Sequence, residues 1–521
     1  MASEFADIAP YKNDESIIGL LSDLGKLYPD AEVIRISENG DLISYKAEKL
    51  VHDVTCVGNV FVSMGLCGKT VAVVGNNSYN WIVTYLAAIC SGAVAMPVDH
   101  TLSSSALAQQ LTLAGTSLVV CDSDSLRKIN ERAFEYVTML DGRTTFTVKD
   151  SIDEFITTGE GLIADGYRQY ADMKHHNSAT AQISFESGVY GRDKAVCLSG
   201  RGLYTQIVNS SDVSLGKKLF ITERLSSVRT LCSALSQIFL GYTVSWSDNE
   251  NDIFRSAAES GADSVLLTPL GARKYYERIW SQAASGGFAH ELEKRIKRAV
   301  FFSKFGISAR KSVYSFLRRS GCTCVNRLIV FGNNIDRETA FGLHMSGIDV
   351  LCEYFVPECG VISYNVRSDG KNETLGRPVQ DLYVRINELS QILVKSDSAM
   401  TGYLGEGVYP EHWIPTGDTG FFSDGRIVLQ NDPAQVFITE SAGRVYPPKL
   451  EELVKKQIPY ASSADITADE RGISLRVTFD RDFLSITGRS DIKNIVETSV
   501  RGVNKSLRDY EQITYICVEE N

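Results

Sequence analysis

The cysteines and histidines are the side chains best suited to nucleophilic or metal chemistry, and their distribution favours neither. Most of the eleven cysteines lie inside apolar runs, and no two form a CxxC pair. The clearest cases are Cys90, Cys121, Cys197, Cys352 and Cys517. Cys322 and Cys324 are too isolated to predict a metal site, and His175 and His176 lie in a polar stretch. The pattern predicts buried, reduced thiols rather than disulfides or zinc, and it lacks the Ser/His/Asp or Cys/His arrangement of a catalytic nucleophile.

Two short polar stretches are the remaining candidates for chemistry. One is a glycine-containing turn between Phe185 and Ala195, and the other is the triplet Thr416-Gly417-Asp418. Both patterns also occur by chance, so neither identifies a site by itself. What they can do depends on the elements that position them.

Apolar runs separated by helical patterns indicate how those elements are arranged. Between Leu50 and Met64 apolar residues recur at spacings of three and four, which predicts an amphipathic helix that Gly65 ends. The runs that predict strands are Ile43–Tyr45, Thr70–Val74, Ala93–Val98, Ser117–Asp122, Ser264–Pro269, Arg327–Gly332 and Asp349–Phe355. This alternation predicts an α/β fold with mixed or parallel sheets flanked by helices. A nucleotide-sized ligand would lie at the carboxyl ends of the strands.

The pattern changes from Tyr383 onwards, where shorter segments predict a β subdomain. After a break at Asn431-Asp432-Pro433, a compact unit of strands and helices follows that is small enough to be a mobile lid. We therefore predict a large N-terminal domain over residues 1–430 and a small α+β C-terminal domain over 431–521. Within the larger domain we predict α/β subdomains over 43–380 and the β subdomain over 381–430.

Composition and charge exclude several classes of protein. With 44% apolar and 22% charged residues, the chain is typical of globular proteins rather than of disordered or fibrous ones. The net charge is −11, and the basic residues are dispersed apart from short clusters such as Glu293–Arg298, which we interpret as an exposed helix face. Nucleic acid is therefore not an expected partner. The first residues lack an apolar secretion segment and no apolar run is long enough for a membrane span, so we expect a cytoplasmic protein.

Six segments, taken in order, resemble the AMP-forming acyl-CoA synthetases, and most closely their long-chain fatty-acid branch. The stretch from Ile43 to Asp122 is similar to the start of the AMP-binding N-terminal domain of that family. The others are QISFESGVYGRDKAVCLSGRGL at 182–203, RLIVFGNNID with EYFVPE within 327–358, TLGRP at 374–378, WIPTGDTGFFSDGRIVL at 413–429 and RVYPPKLEE at 444–452. Each is weak alone, but their order and approximate spacing imply the adenylate-forming synthetase fold over nearly the whole chain.

The resemblance implies a two-step reaction. Such enzymes join a small carboxylic acid to ATP with the help of Mg²⁺, giving an acyl-adenylate and pyrophosphate. The small domain then turns so that a thiol, usually of coenzyme A or of phosphopantetheine, displaces AMP. We expect this chemistry only where the residues that carry it are present.

Residues 185–195 match the phosphate loop of the family. Small and hydroxylated residues there let backbone N–H groups and hydroxyls surround the ATP phosphates. The resemblance therefore implies nucleotide binding by Ser187, Gly188 and Gly191 and a catalytic role for Lys194.

The same loop departs from the family pattern. Val189 and Tyr190 replace two threonines, which removes hydroxyl donors worth about 1 kcal/mol each. Glu186 and Asp193 add carboxylates, and one such charge about 5 Å from a phosphate oxygen would repel it by roughly 3 kcal/mol at an effective dielectric constant near 20. The alternative interpretation is a surface loop inherited from a nucleotide site.

Residues Tyr354 to Glu358 match the adenylate motif of the family. The resemblance implies that Tyr354 contacts the nucleotide and that Glu358 is catalytic and ligates Mg²⁺. Phe355 places a ring where the family has none and could fill the ligand space, and Pro357 removes a hydroxyl and a backbone donor. The alternative for Glu358 is an exposed carboxylate at a strand end.

Asp418 matches the family carboxylate that accepts the ribose hydroxyls, and its alternative is an acidic turn residue capping the following β-hairpin. Beyond it, Asp432 replaces the arginine of the family hinge and Pro433 restricts the backbone there. The lysine that family lids carry after their last strand has no counterpart before Asn521.

Three hypotheses follow from these matches and departures. The first is an AMP-dependent synthetase-like protein that is catalytically impaired or inactive and retains an acyl-, nucleotide- or protein-binding role. The second is an active ATP-dependent ligase that converts a fatty or aryl acid to an acyl-adenylate and then a thioester. The third is an interaction module that docks an acyl carrier protein or an active synthetase paralogue.

Overall fold

The structure of the chain is a computed structural model that combines several sheets with flanking helices. It describes residues 15–38, 41–142, 150–173, 177–187, 193–211, 213, 215–247, 253–331, 335, 337–366, 374–388, 390–406, 413–429, 437–438, 444–445, 447–458, 461, 463–469, 472–479, 489–505, 507 and 509–520.

The helices of the described residues are α1 (Ile17–Leu27), α2 (Ala47–Ser63), α3 (Tyr79–Cys90), α4 (Ser104–Leu113), α5 (Ser123–Leu126), α6 (Ile152–Ala164), α7 (Gly200–Ser211), α8 (Val228–Phe239), α9 (Ile253–Glu259), α10 (Pro269–Ser285), α11 (Ala289–Ser303), α12 (Arg310–Arg319), α13 (Arg337–Met345), α14 (Pro447–Gln457) and α15 (Arg489–Asn504). Short 3₁₀ turns lie at Glu131–Ala133 and Asp509–Glu511.

The strands are β1 (Glu32–Glu38), β2 (Asp41–Lys46), β3 (Thr70–Val74), β4 (Val94–Val98), β5 (Thr116–Cys121), β6 (Tyr136–Met139), β7 (Thr180–Ser187), β8 (Asp193–Ser199), β9 (Lys218–Ile221), β10 (Thr243–Ser247), β11 (Ser264–Leu267), β12 (Arg327–Phe331), β13 (Asp349–Val356), β14 (Gly360–Val366), β15 (Arg377–Pro378), β16 (Tyr383–Ile386), β17 (Gln391–Lys395), β18 (Gly402–Tyr403), β19 (Ile414–Ser423), β20 (Arg426–Leu429), β21 (Phe437–Ile438), β22 (Arg444–Val445), β23 (Ser463–Asp469), β24 (Gly472–Phe479) and β25 (Ile513–Glu520).

Two large mixed sheets dominate the N-terminal part. Within the described residues one has the strand order β18-β8-β7-β4-β3-β5-β6 and the other β15-β14-β13-β12-β11-β9-β10-β1-β2. The first is parallel around β3, which is buried at every position because helices cover both faces. The second is parallel from β1 to β13 and ends in antiparallel strands at each side. The predicted α/β fold with mixed sheets is therefore confirmed.

Asn77, in the loop after β3, ties the two sheets together. Its Nδ2 donates to the carbonyl oxygen of Glu223 over 2.9 Å, and its Oδ1 accepts from the backbone N–H of Leu225 over 2.7 Å. The Trp246 indole on β10 donates to the Asn77 carbonyl over 3.1 Å. One short polar loop thus joins the first sheet to two segments of the second.

A smaller β layer and a separate core follow. Strands β16, β17, β19 and β20 form an antiparallel sheet, as the sequence predicted for the region after Tyr383. Beyond residue 440, β23, β24 and β25 form another sheet, and α14 and α15 bury apolar residues in a cluster of their own with it. The exact domain boundaries drawn from the sequence stay predictions.

Most strands predicted from apolar runs begin or end within two residues of the observed ones. The predicted helix between Leu50 and Met64 is α2, and Gly65 follows it at a φ of 69°. β1 was not predicted, because its apolar residues Val33, Ile34 and Ile36 form neither an uninterrupted run nor a regular alternation, and β23 in the C-terminal part was not predicted either. No helix among the described residues is long and apolar enough to cross a bilayer.

The cysteine predictions are largely confirmed, with one correction. Cys90, Cys121, Cys197 and Cys352 are buried free thiols, as predicted. Cys517 was also predicted to be buried, but it is exposed, because it lies on an outward-facing position of β25.

Candidate functional site

Tyr354 and Asp418, 64 residues apart in the sequence, lie together in the fold. The Tyr354 hydroxyl donates to Asp418 Oδ2 over 2.7 Å. Tyr354 is only 5% exposed on β13, whereas Asp418 is half-buried on β19. The fold thus joins two of the predicted site residues and holds the carboxylate in one orientation.

The triplet Thr416-Gly417-Asp418 forms an irregularity within β19 that aims this carboxylate. Pairing with β17 shifts between Leu393↔Pro415 and Gln391↔Thr419, so β19 carries extra residues there. Gly417 has a φ of 83°, which a residue with a Cβ adopts only under strain. The Thr416 hydroxyl donates to the Ile392 carbonyl and accepts from the Asp418 N–H over 3.1 and 3.2 Å. Because Asp418 lies inside the strand, it is not a cap of the following hairpin turn at Ser423–Arg426.

Glu358 lies at the tip of the hairpin formed by β13 and β14, where it is 2% exposed. The Tyr403 hydroxyl donates to Glu358 Oε1 over 2.9 Å. The alternative of an exposed carboxylate at a strand end is therefore wrong, because the hairpin tip packs into the protein. A Mg²⁺ ion would have to share this carboxylate with Tyr403.

Residues from α7 and from the segment between β17 and β18 clamp the same hairpin tip. Gln206 on α7 donates through Nε2 to the carbonyls of Pro357 and Ser398, over 3.1 and 3.0 Å. The Ser398 hydroxyl donates to the Cys359 carbonyl over 2.7 Å. Gly360 ends the turn at a φ of 76°, and a Cβ there would lie 2.8 Å from Gln206. The adenylate-motif segment is therefore rigidly positioned.

The clamp also brings the strand that carries Lys194 near Glu358. Tyr403 on β18 pairs with Val196 on β8, and the Leu404 N–H donates to the Ala195 carbonyl over 2.8 Å. Lys194 precedes Ala195 on the same strand, and its backbone pairs with that of Glu186 on β7. The two sequence segments expected to share a site thus converge at one edge of the first sheet.

Some predicted site residues lie outside the described residues. Gly188 and Gly191 of the glycine-containing turn are among them, as are the hinge positions Asp432 and Pro433. Ser187 is described through its backbone alone, at the end of β7. The roles assigned to these residues from the sequence stay predictions.

A buried ion pair that sequence analysis did not identify lies beside Tyr354. Arg229 on α8 and Glu353 on β13 are 2% and 0% exposed, and Arg229 Nε donates to Glu353 Oε2 over 2.5 Å. A second guanidinium nitrogen donates to Glu353 Oε1, and the third to the Ser233 hydroxyl. Burial raises the pKa of Glu353, and the Arg229 cation opposes that rise. The only signal in the sequence was an arginine in a helix that has no other charged residue.

Phe355 lies on the same side of β13 as this ion pair. The Arg229 Cζ lies 5.7 Å from the centroid of its ring, and Phe355 is 8% exposed. Tyr354, the preceding residue, instead contacts Asp418. The ring predicted to fill the ligand space thus packs in the core against Arg229.

A Cys/His/Asp arrangement that the sequence did not reveal lies on α2. Cys56 Sγ is 3.7 Å from His52 Nε2, and His52 Nδ1 is 3.0 Å from Asp53 Oδ1. However, burial, together with Glu160 and Asp53, raises the pKa of Cys56 to about 11, and its side chain is fully buried. The thiol is therefore protonated and inaccessible at neutral pH, which argues against a nucleophile.

Chemically, the arrangement is suited to hydrogen bonding with the hydroxyl groups of a ligand. Among the described residues no group of three or more His, Cys, Asp or Glu side chains could bind a metal ion. The Asp418 carboxylate, oriented by Tyr354, suits the acceptance of neighbouring hydroxyls such as those of ribose.

Comparison with known proteins gives a consistent result. Residues 25–404 match a protein family described as AMP-binding enzyme. The chain is similar to 4-coumarate–CoA ligase 1 of Solanum tuberosum, with 19% identity over 87% of this chain and 81% of that protein. It is also similar to the long-chain-fatty-acid–CoA ligase heimdall of Drosophila melanogaster, with 22% identity over 77% of this chain and 66% of that protein.

Solved structures are similar over almost the full length. The amide bond synthetase McbA of Marinactinospora thermotolerans matches with a TM-score of 0.71 and 16% identity, covering 97% of this chain and 95% of that one. The o-succinylbenzoate coenzyme A synthetase MenE of Bacillus subtilis, in complex with ATP and magnesium ion, matches with a TM-score of 0.58 and 15% identity over 96% and 95% of the two chains. At these identities the likeness concerns the fold.

Proposed function

The chain belongs to the AMP-binding enzyme family and has the fold of the adenylate-forming synthetases, and we propose that it binds an adenine nucleotide while its ligase chemistry is impaired. Tyr354 and Asp418 would hold the adenosine part of the ligand. ATP, when bound, supplies the activated phosphate to which a carboxylic acid is joined. The residues of this chain would orient the nucleotide but promote the transfer poorly.

The observation that carries the nucleotide proposal is the hydrogen bond from Tyr354 to Asp418. A carboxylate fixed by a tyrosine and by the irregularity at Gly417 needs little reordering to accept two hydroxyls, so ligand binding loses less side-chain entropy. This pair also coincides with the two matched motifs that the family uses for the nucleotide.

Two features support impaired chemistry. Glu358 is buried and accepts from Tyr403, so ligating Mg²⁺ would compete with a hydrogen bond to a charged group worth about 1.5–3 kcal/mol. In the sequence, Val189 and Tyr190 lack the hydroxyls of the family loop, and Asp432 reverses the charge of the hinge arginine. The loop changes concern the binding of the phosphates, the burial of Glu358 concerns the binding of the metal, and the change at Asp432 concerns the hinge of the lid.

An active ligase is the second candidate function, with a fatty or aryl acid and coenzyme A as substrates. It is favoured by the names of the relatives, which are 4-coumarate and long-chain-fatty-acid ligases, and by the convergence of the Lys194 strand with Glu358. Docking of an acyl carrier protein or of an active paralogue has no support among the described residues.

Calorimetric titration tests the nucleotide proposal. The purified chain is titrated with Mg-ATP and, separately, with a non-hydrolysable acyl-adenylate analogue. Micromolar binding is expected, and Asp418→Ala should weaken it roughly 10- to 100-fold because a charge-assisted contact is lost. The matched control is Asp124→Ala, which removes an 81% exposed carboxylate on α5 and should leave affinity unchanged. Absence of binding to the parent chain would refute the proposal.

Pyrophosphate release separates the two candidates. Fatty and aryl acids are screened with ATP, Mg²⁺ and coenzyme A, beside a 4-coumarate–CoA ligase as positive control. Nucleotide binding without release supports the impaired protein. Release at rates comparable to the control, lost in Lys194→Ala, would establish the active ligase instead.

A further inference from the structure

An exposed aromatic cluster lies at the end of α11. Phe301, Phe302, Phe305 and Ile307 are 56%, 41%, 67% and 56% exposed. The ring centroids of Phe301 and Phe305 are 5.2 Å apart, and those of Phe301 and Phe302 are 5.8 Å apart. Single exposed apolar residues are ordinary, but a contiguous group within seven positions indicates a docking surface.

Helix α11 has two opposite faces, and this cluster continues the outer one. Leu292 and Ala299 are buried, and Ile296 packs with them against the core of the second sheet. The outer face carries Lys294, Arg298 and Phe301, whose spacings of four and three place them on one stripe about half a turn away from the buried residues. Phe305 lies in the turn after the helix, with its ring 5.2 Å from that of Phe301. The inner face therefore anchors the helix, and the outer face presents basic and aromatic side chains together.

The charge of this surface is opposite to that of the whole chain. Between Ala289 and Ile307 there are five Lys or Arg and two Glu, a local balance of +3 in a chain of net charge −11. The two acids pair within the helix, Glu291 with Arg295 and Glu293 with Lys297. A groove of about 420 Å³ runs along the stripe and is lined by His290, Glu293, Lys294, Lys297, Arg298, Phe301 and Phe302. The α11 surface, meaning Lys294, Lys297, Arg298 and residues 301–307, is thus positive and apolar at once.

We propose that the α11 surface docks on an anionic lipid bilayer. Aromatic side chains enter the boundary between headgroups and acyl chains, and neighbouring lysines and arginines attract anionic headgroups. The acidic remainder of the molecule opposes docking weakly, since charges beyond about 8 Å are screened at physiological ionic strength. An exposed charged helix face, the interpretation drawn from the sequence, accounts for the basic residues but not for the four large apolar ones.

The proposal concerns peripheral attachment and is independent of the proposed nucleotide site. It involves no membrane-spanning helix. The surface would hold the protein at a bilayer whether or not its ligase chemistry is active. Its failure would leave the nucleotide proposal unaffected, because binding of Mg-ATP is measured without lipid.

Vesicle flotation of the full chain tests the proposal. The probes are vesicles of phosphatidylcholine alone and of phosphatidylcholine mixed with phosphatidylserine, at low and at physiological salt. The protein should float with the mixed vesicles, less so at the higher salt. Lys294→Gln with Arg298→Gln should weaken binding roughly 30-fold, at about fivefold per basic residue. Phe301→Ser with Phe305→Ser should weaken it at least about tenfold, because the inserted rings lose their apolar burial.

A matched control separates a specific surface from general stickiness. Leu113→Ser with Ile163→Ser removes two apolar side chains that are 60% and 44% exposed on other helices, and vesicle binding should stay at the parent level. All variants change exposed side chains, and circular dichroism verifies that they fold.

Each outcome decides the proposal. Flotation that needs phosphatidylserine and is lost in both α11 double variants supports it. No flotation of the parent, or equal loss in the control variant, overturns it. A third result would also overturn the proposal: the parent does not bind vesicles but self-associates with increasing concentration, and the Phe301→Ser and Phe305→Ser variant does not self-associate. That result would identify a second copy of the chain as the occupant.

Discussion

Replacing Arg229 with methionine should destabilise the chain strongly, because it leaves the Glu353 carboxylate buried without its cation. Both partners are almost fully buried, and the guanidinium donates to both carboxylate oxygens and to Ser233. Methionine keeps much of the apolar stem, so the lost interaction is mainly electrostatic.

The size of the expected loss in the free energy of unfolding follows from the burial of the Arg229–Glu353 pair. Removing one member of a buried ion pair lowers the free energy of unfolding by about 3–5 kcal/mol. Adding Glu353→Leu removes the stranded carboxylate, and the double variant should recover to within about 1 kcal/mol of the parent. As a control, Arg255→Met breaks a pair with Glu259 whose side chains are 72% and 48% exposed, and it should change stability by less than about 0.5 kcal/mol.

The assay is urea denaturation followed by tryptophan fluorescence at several pH values. Without Arg229, nothing opposes the rise that burial causes in the pKa of Glu353. The folded variant then binds a proton that the unfolded chain releases above about pH 5, so its stability falls as pH rises through the raised pKa. The deficit of Arg229→Met relative to the parent should therefore be smaller at about pH 5 than at about pH 8.

Two results would refute this reasoning. One is an Arg229→Met variant within about 0.5 kcal/mol of the parent at neutral pH, which would mean that the pair is not buried as described. The other is a double variant no more stable than the single one, since the stranded carboxylate would then not be the source of the loss.

Three further outcomes are expected. Gly417→Ala should introduce about 1–2 kcal/mol of local backbone strain, because its φ is 83°. It should also weaken Mg-ATP binding in calorimetry about tenfold or more, because the Asp418 carboxylate no longer keeps its orientation. Tyr354→Phe removes the donor to Asp418 and should weaken the same binding by about tenfold without a comparable loss of stability. In the folded chain, Cys67, which is exposed, should react with a thiol reagent at pH 8 while Cys90, whose pKa burial raises to about 12, should react only after denaturation.

Each of these has a control and a contrary result. Gly425→Ala has a comparable φ of 71° in the turn between β19 and β20, so it tests strain without moving the carboxylate. Equal effects of the two glycine variants on affinity would remove the argument for Gly417. Unchanged affinity in Tyr354→Phe would show that the hydroxyl does not orient Asp418. Cys67→Ser combined with Cys517→Ser, which removes the other exposed thiol, should abolish the fast thiol reaction, and rapid modification of Cys90 in the folded chain would contradict its burial.

Much of the fold could be predicted from the sequence because it follows from local pattern. Runs such as Thr70–Val74 are apolar at every position, which is typical of strands covered on both faces. The helix before Gly65 follows from its apolar period. By contrast, β1 shows neither an uninterrupted apolar run nor a regular alternation, and one of its two neighbours in the sheet is β10, more than 200 positions away, a pairing that no local pattern encodes.

Part of the candidate site could also be predicted from the sequence, through matches to short motifs. Motif matches placed Tyr354, Glu358 and Asp418 in the sequence, and the fold brings Tyr354 and Asp418 into hydrogen-bond contact. The burial of Glu358 beneath Tyr403 was not foreseen, because the two belong to different sheets. Arg229 gave no functional signal, since a lone arginine in a helix without other charges does not reveal its partner.

The α/β class and many of the strands and helices follow from the sequence, because they depend on neighbours a few positions apart, and the matched segments place the motif residues. The contacts of the carboxylates are seen only in the fold: Asp418 and Glu358 each accept a hydrogen bond from a tyrosine, and Glu353 is paired with Arg229. The physical reason is that exposure and partnership of a charged side chain are set by contacts between strands and helices distant in sequence, and the energies of those contacts depend on burial.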